Sequence, residues 1–369
     1  MNILILQKNT GKAGAQNSLR RLLMSEEFRK QNVVVVTGTE GWFVDQVKAQ
    51  DIPVISVNFP SSRSIYGRII GNSLWLYSVT KALKKMGFEP DVLQANNHVE
   101  AIYLKMLKNK FRNAATVVFL RDGYIREPSY LKYQCHVCDI RVAVSRAMAD
   151  AVSWDKEIAV INNGVFEDEI YPASSIKPTF PRRWLVIGNP NEGKGWFDFL
   201  SALSLLNDSQ SLSGVEEIVF TGVPSGELLK RYESACAQFS GKVLIEFSLP
   251  FENLGQACQN FDVVISPSRR ESFGMAMLEA CCSGKCVVSS KTGIAESIIS
   301  NSKLLFTPGC VNELAACLKY LLIDWHDISG INDESLQRVR QFYSVEENAK
   351  NLVQLYRKNA ECIVPSLSK

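Results

Sequence analysis

The feature that most constrains this chain is a rhythm that runs through it twice. NILILQ, VVVVTG, PVISVN, DVLQAN, TVVFLRD and IRVAVS read as short buried strands. Between them GAQNSLRRLLMSEEF, IYGRIIGNSLWLYSVTKALKKM and EAIYLKMLKN read as helices. Alternation of this kind implies parallel sheets covered by helices. Around residues 163–182 the periodicity is lost and Pro and Ser collect, which places an interdomain linker at 166–182. The rhythm then restarts. RWLVIG, EEIVFTG, KVLIEFS, DVVISPS and KCVVSS are predicted strands, with helices near 195–207, 225–238, 251–259 and 273–283. VNELAACLKYLLID and SVEENAKNLVQLYRKNA are the last two helical patterns. The expected fold is α/β: two Rossmann-like, doubly wound parallel-sheet domains, residues 1–165 and 183–343, with the carboxyl ends of the strands lining a cleft between them.

Length and composition agree with this. A chain of 369 residues is long for one core and fits two domains. A content of 46% hydrophobic and 21% charged residues is that of an ordinary globular protein. No apolar run approaches membrane-spanning length, and MNILILQKNTGKAG reads as a strand and loop rather than a signal peptide. Ten cysteines without a secretory signal argue for reduced thiols in a cytosol. CHVC (Cys135 to Cys138) has zinc-like spacing, but no second pair completes four ligands, and buried small hydrophobes are the better reading. Charge is unevenly spread. Residues 1–160 hold 22 Lys and Arg against 14 Asp and Glu (+8), and the remainder holds 19 against 24 (−5). A basic half suggests an anionic partner such as a lipid-phosphate or membrane surface, with scattered solvated lysines as the alternative. Nucleic acid is not expected.

The stretch SRRESFGMAMLEACCSGKCVVSS, residues 268–290, carries the chemistry. FDVVISPS is a buried strand, and the chain leaves its carboxyl end through Arg269, Arg270 and Glu271. A helix is predicted from about Phe273, with Ser272 as N-cap and Gly284 as its end. Glu271 then projects from the loop, while Glu279 lies about 8 Å along the helix axis in an apolar context. Between them fall the amides of Gly274, Met275 and Ala276 at the positive end of the helix dipole, where phosphate binds and a side-chain-free Gly274 admits it closely. A diphosphate with a hydroxyl-rich ring at either end, a nucleotide sugar, satisfies both carboxylates. Glu279 takes the ribose hydroxyls and Glu271 those of the sugar.

These residues resemble the donor site of retaining glycosyltransferases of family four. SPSRRESFGMAMLEACCSGKCVVSSKTGIAESI contains the family's Pro-Ser, its E-x-F-G and a second Glu after seven intervening residues. It also contains a helix-ending Gly, an apolar strand, and Gly293 before Glu296. The likeness extends to INNGV (161–165), VAVSRAMAD (142–150) and VIGNPNEGKGWFDFLSAL (186–203). It implies the GT-B fold, with an acceptor-side first domain, a nucleotide-sugar-binding second domain, and residues 344–369 returning as a helix onto the first. Donor-binding positions implied or read are Gly14, Asn189, Lys194, Glu271, Ser272, Phe273, Gly274, Met275 and Glu279. Lys194 stands at the family's phosphate-binding lysine, where it can neutralise the departing diphosphate. The family's Arg after Gly188 is here Asn189, and Arg269 or Arg270 is the candidate replacement cation.

In the first domain, QKNTGKAGAQNSLRRLL lacks G-x-G-x-x-G, which disfavours a dinucleotide-dependent dehydrogenase; Gly14 and Ala15 resemble the family's first glycine loop. Arg121 and Asp122 stand at a strand's carboxyl edge near the family's usual His. Arg121 is a permanent cation for phosphate, Asp122 a base or orienter of the acceptor hydroxyl, and a structural Arg–Asp pair is the alternative. His98, after another strand, is a further cleft candidate or a helix cap. No Asp-x-Asp and no His cluster occur, so neither a metal nor another cofactor is expected. The basic stretch 63–85 is an ordinary packed helix or a contact with membrane or a lipid-linked acceptor. The residues and the resemblance together imply a metal-independent retaining hexosyltransferase that is cytoplasmic, either free or peripheral at the inner face of the cytoplasmic membrane. It uses a nucleotide-sugar donor and a glycan or lipid-linked acceptor in cell-surface polysaccharide or glycoconjugate synthesis. A catalytically silent sugar-nucleotide or glycan-binding protein of the same fold is the alternative.

Overall fold

The computed structural model describes residues 1–60, 65–123, 125–155, 157–171, 178–208, 212–249, 251–328 and 332–363. Seven strands form the first sheet: β1 (Asn2–Gln7), β2 (Asn32–Thr37), β3 (Val54–Ser56), β4 (Val92–Ala95), β5 (Ala115–Leu120), β6 (Ile140–Ala143) and β7 (Ile158–Val160). Their order is β3-β2-β1-β4-β5-β6-β7, and every pairing is parallel. All six residues of β5 are buried, as are the last five of β1, because helices cover both faces.

The second sheet repeats this plan with β8 (Arg183–Val186), β9 (Glu217–Thr221), β10 (Leu244–Ser248), β11 (Val263–Ser266), β12 (Cys286–Ser290) and β13 (Leu305–Phe306). Its order is β10-β9-β8-β11-β12-β13, again parallel. Its core is aromatic: Trp196 lies 4.8 Å from Phe220 and 5.5 Å from Tyr232, ring centre to ring centre. In each sheet the winding direction reverses once, between β1 and β4 and between β8 and β11. Doubly wound sheets open a crevice beyond the carboxyl ends of the strands at that point.

The chain divides into two compact units, Met1–Gly164 with Val345–Lys369, and Val165–Ser344. The second is closed by its own ends, since the Val165 amide donates to the Tyr343 carbonyl at 2.9 Å. The first takes in the last helix, Val345–Ile363, whose Val345, Ala349, Leu352, Val353 and Tyr356 are buried. The Tyr356 hydroxyl donates to Gln94 Oε1 in β4 at 2.7 Å. Residues 166–171 and 178–182, from the stretch read as a linker, belong to the second unit. The Tyr171 amide donates to the Cys282 carbonyl and the Arg182 amide to Asp262. Residues 172–177 of that stretch, and 63–64 of the basic stretch, lie outside the described residues.

Candidate functional site

Two loops meet at the reversal point of the second sheet. One leaves β8 and carries Lys194 on a short turn, Glu192–Lys194; the other leaves β11 and carries Glu271. Lys194 Nζ and Glu271 Oε1 are 2.5 Å apart, and both side chains are about three-quarters buried. Glycines decide that approach. A Cβ on Gly195 (φ +69°) would stand 1.8 Å from the Pro267 carbonyl oxygen, so only glycine lets the first loop press on the second. The Lys194 stem packs over Gly188, and the Arg269 amide donates to the Gly193 carbonyl at 2.9 Å.

The helix beyond Glu271 begins later than predicted. It spans Met275–Cys282, and its N-cap is Gly274 (φ +95°) rather than Ser272. Phe273 cannot open the helix because it is buried and its carbonyl accepts from the Ile294 amide at 3.0 Å. Gly293 permits that contact, since a Cβ there would lie 2.1 Å from the Phe273 oxygen. The first-turn amides of Met275 and Ala276 have no acceptor within the helix. Glu279 is its fifth residue and is half-buried. Gly284 (φ +67°) follows its end, as expected.

Asn189 is exposed, and Arg269, a candidate for the cation it lacks, is held in an ion pair. The guanidinium forks onto Asp198, Nε to Oδ2 at 2.7 Å and Nη2 to Oδ1 at 2.6 Å. Asp198 is only 7% exposed, so its carboxylate demands a charged partner. Arg270 is exposed.

In the first unit the predicted residues occupy the corresponding edge. Gly14 is the exposed first residue of the helix Gly14–Met24. Arg121, buried at the end of β5, donates to Asn96 Oδ1 at 3.0 Å, Ser18 Oγ at 3.2 Å and Asn163 Oδ1 at 2.7 Å. Its guanidinium lies 4.6 Å from the Phe119 ring centre, and burial draws its pKa down to about 10, so it stays cationic near neutrality. His98 is buried beside Tyr133, with Nε2 at 3.5 Å from Ser129 Oγ. Burial lowers its pKa, and the nearby Asp122, half-buried, opposes that shift. One residue escaped the sequence reading. Glu100 is buried at the β1–β4 reversal point, where Oε1 accepts from the Lys8 amide at 2.7 Å and Oε2 from the Asn97 amide at 3.1 Å. Asn97 followed by a Glu three residues later was the available signal.

Residues 167–341 match the model of the family described as glycosyl transferases group 1. That match lies within the second unit and spans just under half of the chain. A D-inositol 3-phosphate glycosyltransferase of Corynebacterium urealyticum is 32% identical over 269 residues, 65% of this chain and 62% of that protein. The chain thus spans less than two thirds of the length of the curated relatives it matches. Among solved structures, Anabaena HepE in complex with UDP-glucose superposes with a TM-score of 0.79 at 18% identity, covering 97% of this chain and all of that one. Sucrose-phosphate synthase of Thermosynechococcus elongatus gives 0.76 at 16% identity over 97% and 98% of the two chains. At these identities the likeness is one of fold: two Rossmann-like domains, the GT-B architecture.

Within the second unit the folding brings Lys194, Glu271, Phe273, Gly274, Met275 and Glu279 to one sheet edge. Gly14, His98, Arg121 and Asp122 gather at the edge of the other sheet. Among the described residues no three His, Cys, Asp or Glu side chains are grouped so as to hold a metal ion. Cys135 and Cys138 are free and buried, and burial pushes both thiols up to about 12. No described helix is long and apolar enough to cross a membrane.

Proposed function

We propose that the chain is a retaining glycosyltransferase that moves a sugar from a nucleotide donor to a hydroxyl of a glycan or lipid-linked acceptor. The observation that carries this reading is the Lys194–Glu271 pair at the mouth of the Met275–Cys282 helix, with Glu279 one turn further in. A diphosphate entering there takes Lys194 Nζ from Glu271 and accepts from the amides of Met275 and Ala276. Glu279 then receives the ribose hydroxyls. The released Glu271 carboxylate takes hydroxyls of the transferred sugar and holds its ring.

As the glycosidic bond breaks, charge grows on the diphosphate. Lys194 and the helix mouth stabilise that charge more in the transition state than in the bound donor, which is what lowers the barrier. The acceptor hydroxyl oxygen bonds the anomeric carbon on the face the nucleotide leaves, as the bond to the diphosphate breaks, and its proton passes to the departing diphosphate oxygen. On the first unit's own sheet edge, Asp122, Arg121, His98 and Gly14 are the candidates for handling the acceptor. No metal enters this scheme. Synthesis of a cell-surface polysaccharide or glycoconjugate is the setting that such an acceptor suits.

The test is nucleotide release. Because HepE was solved with UDP-glucose, that donor is tried first in a thermal-shift screen with other nucleotide sugars. Free nucleoside diphosphate is then assayed with and without glycan and lipid-linked acceptors, and the anomeric configuration of the product is read by NMR. An inverted product sinks the retaining mechanism. Donor binding with no release under any condition supports the silent binding protein instead.

A further inference from the structure

The helix Ile65–Lys85, the longest among the described residues, is covered on one side only. Trp75, Val79 and Leu83 are buried against the first unit, where Trp75 lies 4.8 Å from Tyr103 and 5.3 Å from Phe59, ring centre to ring centre. On the opposite side Tyr66, Ile69, Ile70, Leu74 and Tyr77 are between 59% and 81% exposed. At the helical repeat these five fall within an arc of about 140°, a continuous apolar stripe some 16 Å long. Lys81 and Lys84 extend the same stripe, both exposed, with the exposed Lys85 at its margin.

Single apolar residues on a surface need no explanation, whereas five in one stripe call for a cover. The charge says what kind. From Ile52 to Phe88 the sequence contains no Asp or Glu, yet it carries Arg63, Arg68, Lys81, Lys84 and Lys85. A second copy of this face would bring like charges together. An interface that is apolar in its middle, anionic at its edge and fringed by Tyr-compatible polarity is that of an anionic bilayer.

We propose that Ile65–Lys85 docks the chain on an anionic lipid surface. The helix lies in the plane of the interface, its Tyr66–Tyr77 stripe at the boundary between headgroups and acyl chains. Lys81, Lys84 and Lys85 rest on headgroup phosphates. The helix lies on the membrane and does not cross it. This inference does not depend on the transferase reading, since a silent sugar-binding protein with the same helix would dock equally.

Flotation with phosphatidylcholine vesicles, with and without about 30 mol% phosphatidylglycerol, tests it. The full chain is expected to float with the anionic vesicles alone, and to be released at about 0.5 M NaCl. Ile70→Ser/Leu74→Ser should weaken partitioning by about tenfold or more through lost apolar burial. Lys81→Ala/Lys84→Ala should do so to a similar extent through lost charge. Both pairs change exposed side chains, and circular dichroism melts matching the wild type verify the fold. Should one pair fail to fold, the other pair and the lipid and salt dependence of the wild type still decide. Equal binding to neutral vesicles, no binding to anionic ones, or wild-type flotation of a folded variant overturns the proposal. A wild-type dimer in sedimentation that Ile70→Ser/Leu74→Ser dissociates also overturns it, in favour of a second copy.

Discussion

Lys194 and Glu271 neutralise each other at 2.5 Å in the structure, and this makes their substitutions unlike. Removing Lys194 leaves a largely buried carboxylate facing the incoming diphosphate. Lys194→Ala is expected to lower kcat/KM by about two to three orders of magnitude, the cost of deleting one preorganised donor to a developing anion. Glu271→Ala frees the lysine, so nucleoside diphosphate affinity should hold or tighten while kcat falls. Glu279→Ala should weaken the nucleotide by about 1.5–3 kcal/mol, the range for hydrogen bonds to a charged group. Calorimetric titration beside steady-state kinetics separates the three, and wild-type behaviour of both glutamate variants would remove the paired-carboxylate reading. Gly195→Ala provides a steric counterpart. Its Cβ would meet the Pro267 oxygen at 1.8 Å, so nucleotide affinity and melting temperature should fall together. The placement of these side chains at a strand's carboxyl edge was legible because E-x-F-G and the lysine after the glycines are local patterns. Their mutual contact was not, because it joins positions 77 residues apart through a loop whose approach rests on backbone space. The helix start was misplaced for a related reason: Ser272 has the right chemistry for a cap, but the buried Phe273 tied to Ile294 decides where the helix can begin.

At the scale of elements, the β1–β4 reversal point is tied by Glu100, and that tie makes stability depend on pH. Burial raises the Glu100 pKa from an ordinary 4.5 to about 7, outweighing the Lys8 and Asn97 amides, which favour the charged form. Between those values the folded chain holds a proton that the unfolded chain has released. The associated stability is complete below about 4.5 and is lost as pH rises through about 7, a difference of roughly 3 kcal/mol at most. His98 works the other way. Burial lowers its pKa from 6.5, so its share is present above that value and is lost as pH falls through the depressed one. Urea unfolding of the wild type and Glu100→Gln from pH 4.5 to 8 reads the first effect. The variant should lack the decline toward pH 7, and parallel curves would show that Glu100 does not titrate in that window. Most strands could be read from the sequence, since runs such as VVVVTG are apolar on both faces. The two that were missed are β7, three half-buried residues, and β13, two residues long, which pairing with a neighbour defines more than their own composition does.

For the whole molecule, what matters is that one unit is continuous in sequence and the other is not. SVEENAKNLVQLYRKNA announces an amphipathic helix, but periodicity says only that one face must be covered and not which sheet covers it. In the structure that face meets the first unit: Tyr356 hydrogen-bonds β4 through Gln94, and Arg357 Nη2 stands 3.3 Å from Glu27 Oε1. Val345, Leu352, Val353 and Tyr356 are buried there. At about 1.5–3 kcal/mol for each large apolar side chain, their loss amounts to about 6–12 kcal/mol, comparable to the whole stability of a typical domain. A chain ending at Ser344 is therefore expected to lose the cooperative unfolding of its first unit. Residues 165–344, whose ends pair with each other through Val165 and Ser344, should fold alone and keep nucleotide affinity. Two unfolding transitions in calorimetry of the full chain, of which the second unit's survives in both 165–344 and 1–344 while the first unit's is absent from 1–344, would bear this out. A native first-unit transition in 1–344 would mean that the returning helix decorates a domain already complete, and that the discontinuity carries no stability.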